Sequence, residues 1–137
     1  MIIEVLKENS ESLEKLLEEC FFKKVEKIDI KDSLNKNIRF LCALDNNEVV
    51  GTIMITTKFN PVRNTKEFYL DYVCVKPSCR GKGIGKSLLL KTEEMAKEEN
   101  VKSIVFTSNP SRIEARNMYL NNGYIIRDSN LFYKDMV

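Results

Sequence analysis

Val73-Cys-Val-Lys-Pro-Ser-Cys-Arg-Gly-Lys-Gly-Ile-Gly-Lys-Ser87 decides how this chain is read. An apolar strand runs into a glycine loop with basic residues on both sides, and an apolar helix beginning near Ile84 leaves it. That order builds an anion site. Glycines lift the Cβ restriction on backbone angles and let amide N–H groups converge, while a helix start adds unpaired donors and the positive end of its dipole. Lys76, Arg80, Lys82, Lys86 and Lys91 surround the loop, with no acid between Asp71 and Glu93, so the local field favours a polyphosphate.

Spacing narrows the anion. A P-loop needs a glycine five positions before Gly85-Lys86-Ser87, where Arg80 stands, and Gly81 is one residue too close. The dinucleotide fingerprint G-x-G-x-x-G fails as well, because Gly81, Gly83 and Gly85 run G-x-G-x-G and no βαβ unit opens the chain. What remains is Arg-x-x-Gly-x-Gly, filled by Arg80, Gly83 and Gly85. Here the chain resembles the GNAT superfamily of acetyl-CoA-dependent N-acetyltransferases, whose pyrophosphate loop reads Arg or Gln-x-x-Gly-x-Gly or Ala.

The 137 residues suffice for one domain, taken to span 1–137, and no second core is needed. Hydrophobic residues make up 43%, an ordinary globular share, and no apolar run approaches the ~20 residues of a membrane span. Met1–Leu6 already contains Glu4, and Lys7, Glu8 and Asn9 follow, unlike a signal peptide. A cytoplasmic protein is expected, with no membrane partner. A net charge of +2, with basic residues gathered at one loop and no long stripe, argues against nucleic acid.

Cys20, Cys42, Cys74 and Cys79 lack paired metal spacing and read as reduced thiols, and no metal is expected. Cys79 sits among Lys76, Arg80 and Lys82, but the chain has no histidine to serve as its base, so it reads as a passive loop thiol. Missing histidine also removes Ser-His and Cys-His triads. Proton chemistry falls to carboxylate, tyrosine, lysine or water.

Met1–Leu6 reads as a short strand, and Asn9 or Ser10 caps a helix with Leu13, Leu16, Leu17, Cys20 and Phe21 on one face. Phe22–Ile38 predicts a second short helix or irregular turns. Arg39–Leu44 and Glu48–Thr57 form a hairpin through Asn46-Asn47, residues that tolerate left-handed angles. Lys58–Lys66 reads as a loop, Glu67–Val75 as a strand, Ile84 to about Glu98 as a helix and Lys102–Thr107 as a strand. Tyr124–Arg127 and Leu131–Lys134 predict two closing strands.

Ser111 and Glu114 form an S-x-x-E capping box after Pro110, and Gly123 suits a left-handed helix end. Between them Ala115, Met118 and Tyr119 share a face. Ala115-x-x-x-Tyr119-x-x-x-Gly123-Tyr124 resembles the second GNAT signature, a helix with Ala and Tyr that ends at Gly-Phe or Gly-Tyr. The resemblance covers nearly the whole chain. It implies an α/β (α+β) acyltransferase fold: a mixed, mostly antiparallel sheet of about six to seven strands, about four helices, and a splayed strand pair at the acetyl-CoA site. One departure is Arg112, where the family often has an asparagine seven residues before the helical tyrosine.

The resemblance also implies roles. Val73 and Val75 lie beside a bulge, and their backbone groups bind pantetheine and polarise the thioester. Amides of Gly81, Lys82, Gly83, Gly85, Lys86 and Ser87 hold the pyrophosphate, with charge from Arg80, Lys82 and Lys86. Tyr119 matches the general acid that protonates the leaving thiolate. Asp71, placed by alternation on the side of Val73 with Glu67 and Tyr69, is a candidate base or acceptor contact or a plain structural acid. The activity implied is acetyl transfer from acetyl-CoA, as co-substrate, to a primary amine, by a monomer or homodimer. The rival reading is a CoA-binding regulatory or interaction module without turnover.

Overall fold

A computed structural model of the chain describes residues 1–21, 23–28 and 37–137. Two compact units make it up, Met1–Thr107 and Ser108–Val137. In the first, the strands are β1 (Ile2–Glu4), β2 (Ile38–Asp45), β3 (Glu48–Asn60), β4 (Thr65–Val75) and β5 (Ser103–Val105), with helices α1 (Ser10–Phe21) and α2 (Ile84–Glu98). The sheet order is β1-β2-β3-β4-β5. All pairs are antiparallel except β4–β5, which is parallel.

Local chemistry explains the turns. Asn46 and Asn47 both adopt positive φ, 49° and 62°, the left-handed pair that matches the twist of a two-residue hairpin. The expected Lys58–Lys66 loop is shorter than its composition suggested, because β3 runs to Asn60 and pairs it with Thr65. Asn60 Oδ1 accepts N–H bonds from Val62 and Arg63 at 3.0 and 3.3 Å, closing the reversal within four residues. Phe22 and residues 29–36, within the Phe22–Ile38 stretch expected to form a second short helix or irregular turns, lie outside the described residues. Residues 23–28 return along α1, where Glu18 and Glu14 accept the amides of Val25 (3.2 Å) and Ile28 (2.7 Å).

Among the described residues of this unit, α1 and α2 both pack against the sheet. Leu13, Leu16 and Leu17 of α1 are buried with Val5, Phe40, Cys42, Val49 and Cys74. Each such leucine contributes roughly 1.5–3 kcal/mol by leaving water. Leu88, Leu89, Thr92, Met95 and Ala96 are the buried face of α2. Gly51 sits under its first turn, where a Cβ would stand 3.0 Å from Ile84 Cγ2 and 3.1 Å from Leu88 Cδ1. A side chain there would force Ile84 or Leu88 to shift by a few tenths of an ångström.

In the second unit, helix α3 spans Ile113–Asn121. Its C-terminus is a complete Schellman motif: Tyr124 N–H bonds Tyr119 O (3.1 Å), Gly123 N–H bonds Leu120 O (3.3 Å), and Gly123 takes φ 89°. Its N-terminus differs from the expected box. Ser111 donates through both N–H and Oγ to Asn109 Oδ1 (3.0 and 2.9 Å), so its hydroxyl is committed upstream and Arg112 becomes the N-cap.

Among the described residues no strand follows Val105, and the strand count is five where six to seven were expected. Tyr124–Arg127 and Leu131–Lys134 have strand composition, but a strand exists only where a neighbouring backbone accepts its N–H groups. Here Ser129 N–H bonds Arg127 O locally (3.0 Å), and Ile125, Ile126, Leu131, Phe132 and Tyr133 are exposed. Three α-helices stand among the described residues where about four were expected. No described helix is long and apolar enough to cross a membrane.

Candidate active site

The anion loop forms as its glycines require. Pro77–Cys79 makes a single 3-10 turn, Gly81 and Gly83 both take φ 80°, and Gly83 is the N-cap of α2. A Cβ on Gly81 or Gly83 would meet no atom within 4 Å, so the glycines serve backbone geometry and open space, not packing. Lys82, Gly83, Lys86 and Ser87 are exposed and Gly85 half-buried, in the first turn of a helix whose N-cap makes no side-chain hydrogen bond. Such a terminus offers its amides to an anion.

Tertiary structure thins the basic cluster. Lys76 Nζ pairs with Glu48 Oε1 at 2.5 Å, a contact that raises its pKa, and Lys91 pairs with Glu94 at 3.4 Å. Of the five basic residues around the loop, Lys76 and Lys91 are thus paired with acids. Arg80 is oriented by its Nε, which donates to Val75 O at 3.1 Å. The Cys20 thiol points at the same carbonyl, 3.7 Å away.

Val75 faces outward from the ladder. Lys76 N–H donates to Val50 O (2.7 Å), so antiparallel alternation turns the N–H and C=O of Val75 to the opposite edge of β4, with Val73 two residues behind. That edge is open. β5 pairs with β4 only at Glu67–Ser103, Phe68–Ile104 and Tyr69–Val105, and among the described residues no strand accompanies β4 from Leu70 to Val75. A splayed strand pair was expected here; what the described residues show is that β5 pairs with β4 only as far as Val105.

The bulge lies at Tyr72–Val73. Met54 faces Asp71 and Thr52 faces Cys74, so Ile53 alone opposes two residues of β4. Tyr72 takes φ 50°, the left-handed position that bulges of this type give to glycine. For a residue with a side chain that conformation costs about 1–2 kcal/mol. The Tyr72 ring stands edge-on to Phe21 at the end of α1, centroids 5.4 Å apart and planes at 90°, a contact worth roughly 0.5–1.5 kcal/mol.

The extra residue reverses one expectation. Simple alternation puts Asp71 on the side of Val73, but through the bulge Asp71 shares the face of Cys74, while Val75 and Val73 take the other. Asp71 is exposed there, beside Glu67 and Tyr69 on the same face. Lys58 Nζ lies 5.3 Å from the Tyr69 ring centroid, and Glu67 accepts the Ser103 hydroxyl at 3.1 Å.

Tyr119 belongs to the second unit. It is 7% exposed, with its ring 6.3 Å from that of Tyr124, and burial raises its pKa while Arg112 opposes the shift. The phenol is therefore held protonated at neutral pH. Of the other thiols, Cys42 is buried against Thr52, and burial pushes its pKa up to about 11. No group of His, Cys, Asp or Glu among the described residues is placed to hold a metal.

Tyr72 carried no signal in the sequence, because left-handed positions are usually marked by glycine or asparagine, and Phe21, read as part of the apolar stripe of α1, is instead 43% exposed against Tyr72. The neutralising Glu48 was equally hidden, 28 residues from Lys76.

Residues 4–124, which include the β4 bulge, the left-handed glycine loop and the start of α2, match the acetyltransferase (GNAT) family. The chain belongs to the GNAT family. Aminoalkylphosphonate N-acetyltransferase of Salmonella typhimurium (strain LT2) is 32% identical over 91 residues, 66% of this chain and 59% of that relative's length. An aminoglycoside acetyltransferase from an uncultured soil metagenomic sample, crystallised with trehalose, superposes with TM-score 0.84 at 17% identity, covering 100% of this chain and 95% of that one. AAC(6')-Iy in complex with the bisubstrate analog CoA-S-monomethyl-acetylneamine gives TM-score 0.83 at 14% identity, covering 100% and 98%. These two likenesses show that this GNAT chain shares their fold.

Proposed function

We propose that this GNAT protein transfers the acetyl group of acetyl-CoA to a primary amine by direct attack in a ternary complex, the whole chain acting as one cytoplasmic acetyltransferase domain. The observation that carries the reading is the unaccompanied Leu70–Val75 edge of β4 leading into the Arg80–Ser87 loop. An edge without a ladder partner suits a pantetheine arm, and the loop suits its pyrophosphate. Arg80, Lys82 and Lys86 supply charge, and the amides of Gly81, Gly83, Gly85 and Ser87 supply donors. Neither a metal nor nucleic acid is required.

In the reaction the amine nitrogen attacks the thioester carbonyl carbon, whose oxygen gains charge opposite the backbone N–H of Val73. The carbon–sulfur bond breaks, the thiolate takes the Tyr119 proton, and the phenolate regains a proton from solvent. The amine's surplus proton leaves to water or to Asp71, whose carboxylate also suits an ammonium acceptor. As acceptors, aminoalkylphosphonates and aminoglycosides, which the relatives above name, head the panel.

A free-thiol release assay with acetyl-CoA across aminoalkylphosphonates, aminoglycosides, polyamines, amino acids and peptides tests this. Release that depends on one acceptor class is expected. Tight acetyl-CoA binding with no release for any acceptor would instead establish a CoA-binding regulatory module.

A further inference from the structure

We propose that Phe21 is a positioning residue for acetyl transfer: its ring holds Tyr72 left-handed and so maintains the bulge that turns Val73 out of the ladder. The inference rests on the acetyltransferase reading only for its consequence in turnover. Its structural half stands on the geometry of the first unit alone.

Three observations converge. Tyr72 occupies φ 50° in the middle of a strand whose neighbours are extended, at the single point where β3 and β4 lose register. Glycine would take that angle without strain, so a tyrosine there needs a compensating contact. The edge-to-face meeting with Phe21 is that contact, and it is not core filling: Phe21 is 43% exposed and Tyr72 50%. The adjacent helix residue also touches β4, since the Cys20 thiol reaches Val75 O at 3.7 Å. The last turn of α1 thus grips β4 on both sides of Val73.

The consequence is specific. Without Phe21, the Tyr72 ring no longer offsets its own backbone strain, and β4 relaxes toward an extended Tyr72 with Val73 re-aimed. Backbone preference at position 72, not ring chemistry, then sets activity. Glycine at 72 needs no clamp, whereas a β-branched residue resists positive φ most strongly.

The experiment compares Phe21→Ala, Tyr72→Gly, Tyr72→Val and the double variant Phe21→Ala/Tyr72→Gly in the full chain. Backbone chemical shifts of residue 72, which report left-handed φ, are read by NMR without ligand, and kcat and KM for acetyl-CoA are read with the best acceptor. Phe21→Ala is expected to move the Tyr72 shifts toward the extended range and lower kcat about five- to ten-fold, with little change in KM. The double variant should recover most of that loss, and Tyr72→Val should fall well below Tyr72→Gly. Unchanged Tyr72 shifts in Phe21→Ala would overturn the proposal. So would equal losses in Tyr72→Gly and Tyr72→Val, which would mean that the ring itself meets the acceptor. A parent protein that turns over no amine would defeat the acetyltransferase reading alone, because the NMR shifts still decide the clamp.

Discussion

Arg39 donates two parallel hydrogen bonds to the Glu99 carboxylate, Nη1 to Oε2 at 2.9 Å and Nη2 to Oε1 at 2.8 Å. The pair ties β2 to the residue that ends α2, and the guanidinium also lies 5.5 Å from the Phe68 ring centroid and 3.6 Å from Glu4. Hydrogen bonding to Glu99 raises the Arg39 pKa, with burial opposing it. Because the fork needs a planar, two-point partner, Arg39→Lys is expected to destabilise the fold nearly as much as Arg39→Ala, by about 1–3 kcal/mol. Urea unfolding measures it, and a Lys variant at parental stability would reduce the pair to simple charge.

Gly83→Val should lower acetyl-CoA affinity by roughly tenfold or more, since φ 80° disfavours any β-branched residue and the added side chain fills the space before the α2 amides. Lys97→Ala, on the exposed side of α2, serves as the control. Calorimetry that finds both variants equal to the parent would remove the loop from the binding site.

Asp71→Asn removes a charge from an exposed position without changing volume. If the carboxylate receives or orients the acceptor, kcat/KM for the amine falls at neutral pH while acetyl-CoA affinity holds. An equal loss of melting temperature and turnover would mark Asp71 as structural.

Tyr119→Phe keeps the buried ring and deletes the hydroxyl. Turnover should drop by ~10²–10⁴ with cofactor affinity intact, and an acetyl donor with a more acidic thiol should regain part of the rate. Full activity in the variant would make Tyr119 a packing residue.

Alkaline stability should depend on Cys42. Its folded pKa, pushed to about 11 from an ordinary 9.0, exceeds the unfolded one, so the unfolded chain loses this proton first. The protection is complete below pH 9 and is lost as pH rises through 11, a slope integrating to roughly 2–3 kcal/mol at most. Cys42→Ala should flatten that slope between pH 9 and 11 in matched denaturation curves, and an identical slope would refute the assignment.

Local signals were legible in the chain wherever a few neighbouring residues suffice. Asn46-Asn47 specified a left-handed hairpin, Gly81 and Gly83 a left-handed loop, Gly123 a helix end, and the Leu13–Leu17 stripe a buried helix face, because backbone angles and periodicity are set within one or two turns of chain. The family followed from the same loop and the Ala115–Tyr124 signature. Tertiary structure alone decided the rest. The bulge at Tyr72 and the resulting change of face for Asp71 depend on how β3 registers against β4, and Tyr72 bears no local mark of it. Lys76 left the anion cluster because the β3 hairpin brings Glu48 to it, and the β4 edge opened because β5 pairs with only three residues of it. Pairing partners and opposed charges come from residues distant in sequence, so no window of sequence contains them.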